Sequence, residues 1–331
     1  MSRLLVTGGA GFIGSAYVRR RLAANQGDEI RVLDKLTYAG RRENLEGLER
    51  CELVVGDIAD ADVVAEAIEG CDALVNFAAE SHVDRSIEAP GEFIQTDVFG
   101  TFVLLEAARR TGIRHLQIST DEVYGSIDEG SFTEASPLDP SSPYSASKAG
   151  GDLLVGAYQR TYGTESLIVR GSNNYGPRQH PEKLIPLCIL NALAGDPLPV
   201  YGDGQQVRNW LWVDDFGAAI DVALDRGLPG EVYNVGGPDE RANIDVVRAI
   251  LELTGHDESL IEHVPDRLGH DRRYSLGSEK TEALGWQAEV GLDEGIKRVV
   301  DWYRLNEAWW EPIRSGEYRA YYEKHYGKSL G

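Results

Sequence analysis

The sequence predicts an α/β protein, a doubly wound parallel sheet with a smaller, mixed C-terminal substrate-binding lobe. Three observations carry that expectation. Short apolar runs alternate with amphipathic stretches through the first half, a glycine-rich turn follows the first run, and beyond Arg170 the alternation breaks down as Gly, Pro and Asn become frequent.

The runs at 4–6, 30–34, 53–55, 73–77, 115–119 and 167–169 read as strands, because each is short, apolar and closed by turn-forming residues, with helical patterns between them. Such repetition implies right-handed crossovers, helices on both faces, and ligands at the carboxyl ends of the strands. Residues 210–213 and 231–235 again read as strands, the first followed by Asp214, Asp215 and a helix-like stretch. The chain is therefore expected to leave the sheet near Gly171, return near Trp210 and leave again after Gly237. On that reading 1–170 and 209–236 form the cofactor-binding domain, and 171–208 with 237–331 form the second lobe. The Trp- and Tyr-rich C-terminal end reads either as a docked helix or as a subunit contact.

Composition narrows the function. With 42% hydrophobic and 26% charged residues, neither a disordered chain nor a membrane protein is supported. No apolar run approaches ~18 residues and Met1 leads directly into a strand-like run, so the expectation is a cytoplasmic protein. Cys51, Cys71 and Cys188 form no CxxC pair, which argues against a disulfide framework and a metal knuckle; no metal is expected. A net charge of −21 opposes nucleic-acid and anionic-membrane partners, yet leaves small anions free to bind where basic residues converge.

After the first strand stands Thr7-Gly8-Gly9-Ala10-Gly11-Phe12-Ile13-Gly14. Gly8 and Gly11 allow backbone close to a pyrophosphate, the helix N-terminus offers N–H groups and positive dipole, and Gly14 permits close helix packing. Asp34, at the end of the second strand, suits the adenosine ribose hydroxyls and repels a 2′-phosphate, which favours NAD over NADP in a Rossmann-type site. Lys35, Arg41 and Arg42 are nearby cations that work against that preference. Asp57 and Ile58 follow the third strand, where Asp57 either lines the adenine edge or caps the helix beginning near Asp60. The Phe77-Ala78-Ala79-Glu80-Ser81 turn would pass under the pyrophosphate and nicotinamide ribose.

Ser142 and Pro143 read as the N-cap and first residue of a helix that places Tyr144 and Lys148 at i and i+4 on one face. A phenol with a reference pKa near ~10 needs an adjacent ammonium and a cationic nicotinamide to act as a base. Thr120 ends the fifth strand beside this pair.

These motifs, with LDKLTYAG, AAESHVDRSI, SPYSASKA, SNNYGPRQHPEKLIP, YGDGQQVRNWLWVDD and DRLGHDRRY, resemble the extended, nucleotide-sugar-modifying branch of the short-chain dehydrogenase/reductases over essentially the whole chain. The triplet Thr120-Asp121-Glu122 looks like that of the 4,6-dehydratases acting on dTDP-glucose. The resemblance implies tightly held, regenerated NAD, with Phe12, Ile13, Lys35, Thr37, Ser81, Thr96 and Asn174 joining the residues above. It makes Asp121 the acid toward O6, Glu122 the base at C5, and Thr120 a hydrogen-bond partner of the sugar hydroxyl at Tyr144. Repulsion between neighbouring carboxyls would leave one protonated and one ionised. For the nucleotide diphosphate it implies Asn173, Lys183, Leu184, Arg208, Asn243, Arg267 and His270, with Pro199 and Tyr201 flanking the base and Tyr274 nearby. His82 reads equally as a sugar contact or a structural residue. A homodimer through a four-helix interface is implied, with Phe93, Ile94, Val98, Phe102 and Leu105 compatible with either that contact or packing on the sheet. Rival readings are a 4-epimerase or UDP-glucuronate decarboxylase of the same branch, and a non-catalytic NAD-binding sensor.

Overall fold

The computed structural model describes residues 2–315 and Tyr322. The chain runs β1 (Arg3–Thr7), α1 (Phe12–Ala24), β2 (Glu29–Asp34), β3 (Cys51–Val55), α2 (Ala61–Ala67), β4 (Ala73–Asn76) and α3 (Val83–Glu88). Next, α4 (Pro90–Phe93) passes through a π-helical stretch, Ile94–Gly100, into α5 (Thr101–Thr111), followed by β5 (Arg114–Thr120), α6 (Pro143–Tyr162) and β6 (Ser166–Gly171). The remainder holds β7 (Asn173–Tyr175), α7 (Leu184–Ala194), β8 (Leu198–Tyr201), β9 (Val207–Trp212), α8 (Val213–Arg226), β10 (Val232–Val235), β11 (Asp239–Ala242) and α9 (Asn243–Thr254). It ends with β12 (Ile261–Val264), α10 (Glu279–Glu282), α11 (Leu292–Leu305) and α12 (Glu307–Ser315).

Seven strands form one parallel sheet in the order β10-β6-β5-β4-β1-β2-β3. The order reverses beside β1, which pairs β2 on one side and β4 on the other, so a crevice opens above the turn that leaves β1. Both faces are covered. On one side Val6, Val32 and Val75 pack with Tyr17, Val18, Phe216 and Ile220; on the other Leu5, Leu33 and Leu74 pack with Val64, Leu104 and Ala107. Burial on both faces explains why β1 and β4 read as apolar runs rather than alternating ones.

The expected return of the chain is corrected at one strand. β9 does not join the large sheet; it lies between β7 and β11 in a three-stranded mixed sheet, and the return is made by α8 and β10. The reason is visible in its alternation: Leu211 packs into the interior shared with α8, whereas Trp210 and Trp212 fill a second interior with α7, α9 and α11. β8 and β12 make a further two-stranded parallel sheet.

At the C-terminal end α12 docks: the Trp309 indole donates to Asn44 Oδ1 at 2.9 Å, and that of Trp310 donates to the Tyr303 carbonyl at 2.8 Å. The rest of the aromatic end lies outside the described residues, apart from Tyr322. Phe93 and Leu105 are interior, while Ile94, Phe99, Phe102 and Leu153 are exposed on neighbouring helices. All three cysteines are free thiols. Among the described residues no helix is long and apolar enough to cross a membrane.

Candidate active site

A cavity of about 300 Å³ opens at the carboxyl ends of β1, β2, β4 and β5, and every residue expected around the cofactor lines it, from Gly8 to Asn174. Gly8 has φ +67°, and a Cβ there would lie 2.6 Å from the Ala78 backbone nitrogen, so only glycine lets the turn pass this close to the β4 turn. A Cβ on Gly14 would meet the Gly8 carbonyl oxygen at 2.3 Å, which fixes how closely α1 approaches. Gly11 is the α1 N-cap and carries no side-chain cap, so the first amides of the helix face the cavity without a partner from the cap.

Asp34 is buried, accepts from the Ala10 N–H at 2.9 Å and the Leu36 N–H at 2.8 Å, and is pushed up by burial. Lys35 is tied to Asp57 at 2.7 Å, and Arg41 pairs with Glu43, so neither is an uncommitted clasp for a 2′-phosphate. Asp57 does not cap α2: that cap is Asp60, which accepts from the Asp62 and Val63 N–H groups, while Asp57 lines the cavity and accepts from the Ala59 N–H at 2.9 Å.

The reactive end is built where β5 turns. Thr120 is the N-cap of a 3₁₀ turn, Asp121–Tyr124; its oxygen accepts the Glu122 N–H at 3.2 Å and its hydroxyl donates to Asp121 Oδ1 at 3.1 Å. Asp121 is 1% exposed, and its Oδ2 has no partner among the described residues. Burial first and the Glu122 charge second push Asp121 up to about 7. Burial also raises Glu122, opposed by Arg267, Arg208 and Lys183. Burial and mutual repulsion together disfavour ionising both carboxyls at once.

α6 starts as its sequence implies, with Pro143 at its first turn and a Ser142/Ser145 capping box, bonds of 3.1 and 3.0 Å. Lys148 Nζ donates to the Ile118 carbonyl at 2.8 Å, holding α6 against β5. The Tyr144 phenol is raised well above its ordinary value, by burial and then by Glu122, Asp97 and Asp121, with Thr120 working the other way. Burial and the nearby carboxylates oppose the phenolate, so it needs a further positive charge to form.

Asn173, Asn174 and Lys183 line the same cavity; Lys183 Nζ donates to the Ser81 carbonyl at 2.7 Å. Arg208, Arg267 and Tyr274 lie outside its lining but act on Glu122 or are acted on by it, so they form the adjoining arm. Arg208 stacks on the Tyr274 ring at 4.3 Å and donates to the Asp271 carbonyl at 3.0 Å. His270 hydrogen-bonds Asp266 at 2.5 Å and meets Tyr201 edge-on; the Tyr201 hydroxyl donates to Asp84 at 3.1 Å. Pro199 and Tyr201 lie on β8, Leu184 opens α7 and Asn243 opens α9, all outside the cavity lining. His82 is buried, pushed down to about 4, and flanked by Asp84 and Glu182 at 3.9 and 4.0 Å.

Three acidic groups escape the sequence reading. Glu182 lines the cavity and pairs with Arg85 at 3.3 Å. Glu80, also in the lining, is pushed up to about 7 by burial and by Asp97. Asp97 itself accepts from Ser147 Oγ at 2.6 Å and is pushed up to about 6 by burial. Glu80 sits in the turn expected under the pyrophosphate and Glu182 beside Lys183 in HPEKLIP, but neither stands out there as a site residue, and nothing in the sequence points to Asp97.

Fold and site together define a short-chain dehydrogenase/reductase of the nucleotide-sugar-modifying kind. The chain belongs to the family described as GDP-mannose 4,6 dehydratase, whose model matches residues 5–299. It is 53% identical over 304 residues to the low-salt glycan biosynthesis protein Agl12 of Haloferax volcanii, covering 91% of this chain and 98% of that one. It is 48% identical over 328 residues to a dTDP-glucose 4,6-dehydratase of Mycobacterium tuberculosis, covering 97% and 99%. The crystal structure of DesIV, a dTDP-glucose 4,6-dehydratase from Streptomyces venezuelae with NAD and TYD bound, superposes with a TM-score of 0.92 at 52% identity, covering 94% of this chain and 99% of that one.

Proposed function

We propose that this protein converts dTDP-glucose to dTDP-4-keto-6-deoxyglucose, an NAD-dependent elimination of water with no net redox change. The observation that carries the reading is the Thr120-Asp121-Glu122 turn beside Tyr144, with a buried carboxyl oxygen of Asp121 still seeking a partner. Relatives at about half identity over nearly the whole chain, named for this reaction, support it.

The residues present fit NAD. The glycine turn is stripped of side chains where a pyrophosphate would pass, and the buried Asn174 Oδ1 has no partner among the described residues. Gly8, Gly11 and the first amides of α1 would hold the pyrophosphate, and Asp34 the adenosine ribose. When bound, NAD supplies reversible oxidation at C4 and reduction at C6, together with the positive charge that the Tyr144 phenolate lacks.

Tyr144 receives the O4 proton, with Thr120 hydrogen-bonded at the same hydroxyl and Lys148 steadying the anion. A carbonyl at C4 acidifies C5; Glu122 removes that proton while Asp121 protonates the departing O6, and Glu122 later returns a proton to C5. Lys183, Arg208 and Arg267 form the cationic arm for the diphosphate, with Asn173, Leu184, Asn243 and His270 around the nucleotide and Pro199 and Tyr201 beside its base. The cytoplasm, which keeps three unpaired thiols reduced, is the expected setting. The exposed Ile94, Phe99, Phe102 and Leu153 are the face through which a homodimer forms.

The test incubates the protein with dTDP-glucose in deuterated water. A 4-keto-6-deoxy sugar carrying deuterium at C5 is expected, with no release of reduced cofactor; its absence sinks the assignment.

A further inference from the structure

Resting on the reading above, a proton count exposes a step that the cycle needs. The O4 proton goes to Tyr144. The C5 proton goes to Glu122, which gives a proton back to C5. The departing hydroxyl takes the proton of Asp121 and leaves as water. When product forms, Tyr144 therefore holds one proton more than at the start and Asp121 one fewer. A second turnover cannot begin until that proton crosses.

We propose that Thr120 returns it: Tyr144 Oη passes its proton to Thr120 Oγ while Thr120 passes its own to Asp121 Oδ1. One O–H bond breaks and one forms at each transfer, no electrons are exchanged, and Thr120 ends unchanged. The threonine is then a reset relay as well as a partner of the sugar.

Three features of the site favour this route. The Thr120 hydroxyl already donates to Asp121 Oδ1 at 3.1 Å, the direction the transfer requires, and the Glu122 N–H at 3.2 Å pins the same oxygen. Its β-branched side chain has few rotamers, so the oxygen is held between its two partners. On its other side the hydroxyl acts on the Tyr144 phenol and favours its anion.

Second, the two oxygens of Asp121 have separate neighbours. Oδ2, without a partner among the described residues, is left for the departing O6, while Oδ1 faces Thr120. At 1% exposure the carboxyl is poorly placed to be recharged from bulk water.

Third, burial and the surrounding carboxylates oppose the Tyr144 phenolate as they oppose the Asp121 carboxylate, so the transfer requires the positive charge that bound NAD supplies. Burial and the Glu122 charge both favour a protonated Asp121.

The test uses the NAD-loaded enzyme, rapid-quench product formation and the tyrosinate ultraviolet band followed by stopped flow. Thr120→Val is expected to form about one product per active site in a first phase, then to slow by roughly a hundredfold, the lower end for a positioned proton transfer. Over that slow phase its tyrosinate signal stays lost, and added imidazole, a small proton carrier, speeds the phase. Thr120→Ser, which keeps the hydroxyl, runs in a single phase near the wild-type rate. Thr120→Ala is read in the same way as Thr120→Val. The relay is overturned if the hydroxyl-free variants slow the first and later turnovers equally, or if their tyrosinate signal recovers as fast as in wild type. A wild-type protein that makes no 4-keto-6-deoxy sugar overturns the functional reading instead.

Discussion

Replacing Asp121 by Asn keeps the shape of a buried side chain and removes its acidic proton. The amide oxygen can still accept from Thr120, as Oδ1 now does at 3.1 Å, and the amide nitrogen can still contact O6 without protonating it. Substrate binding should therefore change little. Turnover should fall by roughly 10²–10⁴, about 3–5 kcal/mol of barrier, which is the usual worth of a positioned general acid. The pH profile sharpens the test. An acid pushed up to about 7 must be protonated to work, so the wild-type rate falls as pH rises through that region. Glu122 must be ionised, so the rate also falls on the acid side, and the two apparent values belong to the pair. Asp121→Asn should lose the alkaline limb. Stability should move the opposite way. Between the ordinary 3.8 and about 7 the folded protein keeps a proton that the unfolded chain releases, so wild-type stability declines as pH rises across that window. The decline amounts to about 4 kcal/mol at most. The Asn variant escapes it and should resist urea better than wild type above the window, and equally below it. An Asn variant that keeps turnover within a few-fold, as a 4-epimerase or UDP-glucuronate decarboxylase would, refutes the reasoning.

Gly8→Ala forces a Cβ to within 2.6 Å of the Ala78 nitrogen at φ +67°, so titration calorimetry should find NAD affinity lost, with ~1–3 kcal/mol of stability. Unaltered NAD binding would argue against a pyrophosphate at this turn. His115 is buried and held down to about 4, so its neutral form stabilises the fold above the ordinary 6.5 and that stability is lost as pH falls toward about 4. His115→Leu should flatten up to about 3 kcal/mol of acid-induced loss in urea titrations; an unchanged acid limb would count against it. Leu153 is 62% exposed on α6, and Leu153→Glu should shift light-scattering mass from dimer to monomer. A dimer that survives the charge places the interface elsewhere.

β1, β4 and β6 were legible as short, mostly apolar runs buried on both faces, and β2, β3 and β5 as apolar residues alternating with polar ones, each closed by a turn of glycine or short polar residues. The start of α6 was legible for a similar reason, since Ser142 and Pro143 act locally. β7, β11 and β12 were not, because their three or four residues include polar or charged ones, and neither was β8, which carries a proline. Asn173, Asn174, Asp239 and Glu240 become strand residues only by pairing with β9. Spacing placed the cofactor-side residues around one cavity, but it could not reveal that Glu80 lies close to Asp97 or that Glu182 joins the lining, since both are through-space properties. Whether Asp57 lines the cavity or caps α2 likewise required backbone geometry.

Strand β9 has a consequence for how the cleft behaves. With Leu211 anchored in one interior and its two tryptophan neighbours in the other, the same ribbon of backbone is a party wall. The walls of the cleft are rooted in it through β7, so pulling them apart strains hydrogen-bonded ladders instead of swinging a door. Traffic of a bulky sugar nucleotide then depends on the coils at the rim, and damage that loosens one interior is felt by its neighbour.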